Sequence, residues 1–177
     1  MSPPDAPGVR RAPDPLRVTV HADGVRLPLG RSAIAELARG VLRAQRVREA
    51  ELSFTFVTAP AMAALNRRHL GHRGPTDVIT FELALVPGTP RIGDVYVCLA
   101  VARENARRHG ATVREEVARL VVHGTLHVLG HEHPEDDGRT RSPMWRRQER
   151  LLARLYTARP TVRPTARHTA RAGEVAS

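Results

Sequence analysis

The stretch TVREEVARLVVHGTLHVLGHEH, residues 112–133, constrains the fold more tightly than any other part of the chain. Thr112 and Glu115 form a T-x-x-E capping box, in which each side chain satisfies a backbone N–H that a first helical turn leaves unpaired. They predict a helix running through Leu129 and stopped by Gly130, the residue type that best tolerates the left-handed backbone beyond a helix end. The run is largely apolar, yet it carries His123 and His127, and burying an imidazole is costly unless a partner meets it. Four residues apart, the two rings leave one face of the helix, the spacing with which a helix grips a single metal ion. Beyond Gly130 the chain reverses, so a third imidazole can swing back. His131 and His133 alternate on an extended loop, and only one of them can face such a site. Three neutral nitrogens would leave a fourth zinc position for water, the arrangement of a catalytic centre rather than a structural one. A peptidase is not indicated. Zinc proteases carry H-E-x-x-H with the glutamate as general base, and here that position is Gly124.

Length and charge narrow the setting. With 177 residues and 41% hydrophobic content, the chain has room for one domain with a proper core, plus tails. No apolar run reaches the roughly 18–20 residues of a membrane span. The N-terminus, MSPPDAPGVRRAPDP, lacks the apolar segment of a secretory signal. A single cysteine, Cys98, excludes an internal disulfide framework and a multi-cysteine zinc site, and reads as a small buried hydrophobe in a strand. A cytoplasmic protein with no membrane partner follows as the expectation. The formal net charge is +10, and all 28 basic residues are arginine. From Gly138 to Ser177 ten arginines face only Glu149 and Glu174, a local balance of +8 that leaves +2 for the rest. The planar arginine fork matches phosphate oxygens in pairs, which suits a phosphate-bearing partner. A genomic base bias would produce the same composition without one.

Residues 1–15, rich in Pro, Asp and Arg, read as a disordered N-terminal arm. Residues 158–177 repeat arginine every four positions, but their prolines deny them a stable helix, and they read as a disordered tail. The single domain is expected over 16–157. LRVTV (16–20) is a strand, and Ile34, Leu37, Ala38, Val41 and Leu42 recur at helical spacing from Arg31 to about Val47. ELSFTFV (51–57) alternates, with Leu52, Phe54 and Phe56 on one face. Thr58 caps a helix with Pro60 in its first turn, running to about His69. Strands follow at 77–83 and 92–99, then a helix at 100–109 ended by Gly110, the histidine helix, and an amphipathic helix at 143–156. The order predicts an α/β (α+β) domain, a small mixed sheet of about four strands packed with about five helices.

HGTLHVLGHEHPEDD (123–137) resembles the signature H-G-x-L-H-L-x-G-[YF]-D-H of the bacterial YbeY endoribonucleases, zinc-dependent ribosomal RNA maturation factors. LNRRHLGHRGPTDVITF (65–81) is similar to that family's L-N-x-x-[YF]-x-x-x-D-x-x-T-D-V-[IL]-[ST]-F segment. IGDVYVCLAVARENARRHG (92–110) is similar to its G-D-[IV]-x-[IV]-S segment with the helix after it. The resemblance covers roughly residues 16–156. It implies one zinc ion per chain on His123, His127 and His133, with His131 where the family usually has Tyr or Phe. Asp77 and Asp94 match recurrent family acids and are expected to cap or hydrogen-bond locally at strand ends. The sequence departs at Leu70, where many members carry an arginine implicated in activity, so Arg68 and Arg73 become candidates to supply that charge. Glu132 replaces the usual aspartate before the third histidine.

The function implied is zinc-dependent, single-strand-specific endonucleolytic cleavage of ribosomal RNA, in small-subunit 3′-end maturation and ribosome quality control. The small ribosomal subunit or its assembly proteins are the implied partners. Zinc hydroxide and a ribose 2′-hydroxyl are both compatible as the attacking group. With aromatics at 3%, recognition is expected to lean on phosphates and shape more than on bases. The rival reading is a ribosome-associated RNA-binding assembly factor in which zinc is structural and nothing is cleaved.

Overall fold

The computed structural model describes residues 14–84, 88–134 and 139–156. The expected arm and tail lie outside these residues, except for Asp14 and Pro15. Those two are tied to the domain: Leu16 N donates to Asp14 Oδ1 at 3.0 Å and Ala50 N to Pro15 O at 2.9 Å.

Among the described residues, four strands and five α-helices follow in the order β1 (Leu16–Ala22), α1 (Arg31–Ala44), β2 (Ala50–Val57), α2 (Ala59–Leu70), β3 (Val78–Ala84), β4 (Arg91–Cys98), α3 (Leu99–Arg108), α4 (Val113–Val128) and α5 (Pro143–Leu155), with a 3-10 turn at Arg139–Arg141 before α5. The strands form one mixed sheet in the order β1-β2-β4-β3. β1, β2 and β4 run parallel, and β3 pairs antiparallel with β4 along the edge. This is the small mixed sheet that the element order predicts.

Alternation along the strands sorts the core into two faces. Leu52, Phe54, Phe56, Val95 and Val97 are all fully buried on the face that receives α1, α4 and α5. The opposite face carries Thr55, Val57, Tyr96 and Cys98, and α2 covers part of it through Met62. Every boundary falls within a residue or two of expectation except the end of α1. α1 stops at Ala44 because Arg46 adopts φ +60°, and Val47 N then donates back to Leu42 O at 3.0 Å. Val47 keeps its apolar contact with the core through this closing turn, which is why the periodicity overran the helix. Leu99 opens α3 rather than ending β4.

α4 is buried on nearly all sides. Both halves of its capping box form: Thr112 Oγ1 accepts from Glu115 N at 3.2 Å, and Thr112 N donates to Glu115 Oε2 at 2.8 Å. The bonds from Thr112 lower the Glu115 pKa, backbone first and side chain second. The helix lies unusually close to the sheet. A Cβ on Gly124 would stand 2.5 Å from Val95 Cγ1, and one on Gly93 would stand 2.7 Å from both Val128 methyl groups.

Candidate metal centre

The end of α4 brings three imidazoles together. Gly130 takes φ +78°, its N–H donates to His127 O at 2.8 Å, and His131 N donates to Leu126 O at 3.1 Å. These paired bonds close the helix and turn the chain back along it. His133 thereby reaches the face that carries His123 and His127. His127 Nε2 lies 3.0 Å, and His133 Nε2 3.4 Å, from His123 Nε2. One ligand atom from each ring lies within 4.8 Å of the other two, and the group can hold a metal ion. Two nitrogens each 2.0–2.1 Å from a tetrahedral zinc would be about 3.3 Å apart, and the two separations from His123 match that spacing to a few tenths of an ångström. Ring nitrogens crowded in this way, with lone pairs facing one another, repel unless a proton or a cation lies between them.

Tautomers follow from the neighbours. His123 Nδ1 is 2.7 Å from Gln148 Oε1 in a buried contact, while Gln148 Nε2 donates to Glu149 Oε1 at 2.9 Å. The amide oxygen therefore faces the imidazole, which donates its Nδ1–H and keeps the Nε2 lone pair for the centre. His133 does the same toward Pro134 O, at 2.8 Å. Beyond Gln148 the network continues: Arg119 Nε donates to Glu149 Oε1 at 3.2 Å and Arg119 Nη1 to Glu116 Oε2 at 2.8 Å. Burial works against the Arg119 charge, but Glu149 and Glu116 more than offset it, and its pKa is raised.

A cavity of about 490 Å³ has His123 and Gln148 in its wall. Glu116 and Arg119 on α4, Asn105 on α3 and Trp145 in the first turn of α5 line it further. Asp77, just before β3, lines it too. It accepts from Val78 N at 2.9 Å and Thr76 Oγ1 at 3.2 Å, the local role expected of it, and from Asn105 Nδ2 at 3.3 Å. Asp94 accepts from Ser53 Oγ, a bond between neighbouring strands β2 and β4.

The other sequence candidates fall elsewhere. His131 stays outside the metal-capable group, half-buried, with its pKa lowered by burial and by Arg147. Arg68 lines a separate pocket with Asp23, Thr55, Leu65 and Tyr96. Thr55 and Tyr96 point to the α2 face, so Arg68 lies across the sheet from α4. Arg73 is exposed on the loop that runs into Asp77, and Leu70 is half-exposed at the end of α2. Neither arginine lines the cavity at His123; Arg119 does. Sequence reasoning missed Gln148 and Glu116. Their signal is a polar residue in an apolar stripe: Gln148 shares the buried face of α5 with Met144, Leu151 and Leu152.

Known proteins show the same plan. The sequence model of the family described as Endoribonuclease YbeY matches residues 26–156. A relative named Endoribonuclease YbeY from Thermobifida fusca is 39% identical over 136 residues, which is 72% of this chain and 86% of that protein. One of the same name from Micrococcus luteus is 36% identical over 142 residues, 76% and 88% of the two chains. The solution structure of a Thermotoga maritima protein matches with a TM-score of 0.55 and 25% identity, covering 80% of this chain and 90% of that one. The family match runs from the turn before α1 to the end of α5, taking in the histidine helix and the glutamine that orients His123, and the chain belongs to the YbeY endoribonuclease family.

Proposed function

We propose that this protein is a zinc-dependent endoribonuclease that cuts single-stranded ribosomal RNA in the cytoplasm. It acts in maturation of the small-subunit 3′ end and in ribosome quality control, with the small ribosomal subunit or its assembly proteins as partners. Residues 16–157 form the catalytic domain, flanked by the arm 1–15 and the arginine-rich tail 158–177. The observation that supports this reading most is the convergence of three imidazole Nε2 atoms, two of them fixed as acceptors by Gln148 and Pro134, in a member of an endoribonuclease family.

His123, His127 and His133 would hold the zinc ion. Bound there, zinc supplies Lewis acidity, which polarises a phosphoryl oxygen and makes water a stronger acid. The chain itself must orient the ligands and meet the negative charge that develops on the phosphodiester. Gln148 does the first for His123. Arg119 is a poor choice for the second, because Glu116 and Glu149 already engage it. Arg73, on the loop entering Asp77, is the stronger of the two arginine candidates, and Arg68 the weaker. Arg73→Ala should slow cleavage on the order of a hundredfold with zinc content unchanged.

Metal content and cleavage of single-stranded RNA, measured together on the full chain, test the reading. The wild type should carry about one zinc per chain and cut. His127→Ala should lose both while keeping its circular dichroism spectrum. Zinc-loaded wild type that binds ribosomal RNA without cutting it would instead support the assembly-factor reading.

A further inference from the structure

The cavity beside His123 has properties that holding a metal does not require. Trp145, the single tryptophan of the chain, stands half-buried in its wall and offers a broad flat surface. Its charges run against those of the molecule. Asp77 and Glu116 line it, and Arg119, the one arginine among the described residues that line it, is already paired with Glu116 and Glu149. A phosphate would meet a surplus of negative charge there, in a chain whose formal net charge is +10. A neutral planar group with N–H donors on its edge would meet acceptors. Asn105 Nδ2 donates to Asp77 Oδ2 at 3.3 Å in this wall, a long hydrogen bond that holds a carboxylate and an amide side by side. That pair suits the donor and acceptor edge of a heterocycle, as when a carboxylate accepts from the cytosine amine. The volume, about 490 Å³, falls in the roughly 300–1,000 Å³ range of small-molecule sites.

We propose that the cavity receives one unpaired nucleobase of the RNA strand, stacked on Trp145 with its edge toward Asp77 and Asn105. The sugar-phosphate beside that base is then presented at His123, which forms part of the same wall. Asp77, Asn105 and Trp145 are positioning residues in this scheme. A base inside a duplex has its faces stacked and its pairing edge occupied, so the pocket admits only single-stranded substrate. The placement rests on the RNA-cleaving reading above, whereas the binding of a base does not.

Trp145 supplies the readout, because all tryptophan emission of the chain comes from this wall. The zinc-loaded full chain is titrated with a 2′-O-methyl oligocytidylate, with an abasic strand carrying the same number of phosphates, and with the oligocytidylate annealed to its complement. Saturable quenching by the single strand alone is the expected result. Asn105→Ala should weaken that affinity about tenfold, in the range of losses for one base contact, with zinc content and melting temperature unchanged. Quenching by the abasic strand equal to that by the intact one, or no change in emission with any strand, overturns the proposal. An Asn105→Ala chain that binds as tightly as wild type overturns the edge contact. Cleavage without quenching sinks the pocket and leaves the enzyme; quenching without cleavage does the reverse.

Discussion

Gln148 is 1% exposed and has both ends of its amide engaged, the oxygen by His123 and the nitrogen by Glu149. An imidazole that donates from Nδ1 must present Nε2 as an acceptor, so this glutamine decides which tautomer faces the centre. Gln148→Leu keeps the volume but leaves the His123 Nδ1–H with no acceptor at that position. Loss of such an orienting partner typically weakens metal binding by about 10- to 100-fold. Zinc affinity, measured by competition with a chromophoric chelator, should fall by that factor, and Gln148→Glu, which keeps an acceptor oxygen, should recover most of it. Equal affinity in Gln148→Leu would show that the tautomer is fixed elsewhere. The site was legible in the sequence where its geometry is local. His123 and His127 are one helical turn apart, and Gly130 marks the reversal that returns His133. Gln148 arrives from 25 residues away by tertiary packing, which no local pattern encodes. Arg68 illustrates the same limit. Its place in the chain could not tell on which face of the sheet the end of α2 would land.

Gly124 decides how α4 meets the sheet. In an exposed helix, alanine in place of glycine gains about 1 kcal/mol. Here the added Cβ would stand 2.5 Å from Val95 Cγ1, and overpacking of this kind costs typically 1–3 kcal/mol. The helix cannot simply lift, because Val128, one turn on, is seated on Gly93. Gly124→Ala should therefore destabilise the domain by about 1 kcal/mol in denaturant unfolding. A more stable variant would show that α4 can move off β4. The same contact explains why the glutamate of H-E-x-x-H has no counterpart, since residue 124 faces the sheet and not the metal-capable cluster. The elements themselves were legible because their signals are short-range: the Thr112–Glu115 box, the Thr58 cap, and the alternation of Leu52, Phe54 and Phe56. Sheet order was not. Insertion of β4 between β2 and β3 is a long-range pairing that strand alternation does not specify.

The whole molecule divides into an apolar core and a rim that carries the metal-capable histidines. The larger core cluster joins α1, α4 and α5 to one sheet face, the smaller one joins α2 to the other, and both are built from apolar side chains. Of the three histidines only His123 is buried; His127 and His133 are half-buried where α4 ends. α4 is meanwhile anchored by its capping box, by the Gly124 and Gly93 contacts and by the backbone closure at Gly130. Removing a bound metal would thus leave mutual repulsion among the imidazoles at the rim, chiefly loosening residues 131–134, and leave the anchored part of the helix in place. Mass action sets the stability cost: with free zinc at about a thousand times its Kd, removal forfeits about 4 kcal/mol. A chain that still folds without metal would show this as a lower melting temperature with a cooperative transition and an unchanged far-ultraviolet spectrum. We expect that result on exhaustive chelation, with RNA cleavage abolished and restored by added zinc. Collapse of the spectrum on chelation would mean that the metal holds the fold together, as in small domains that unfold without zinc, and would favour the rival assembly-factor reading.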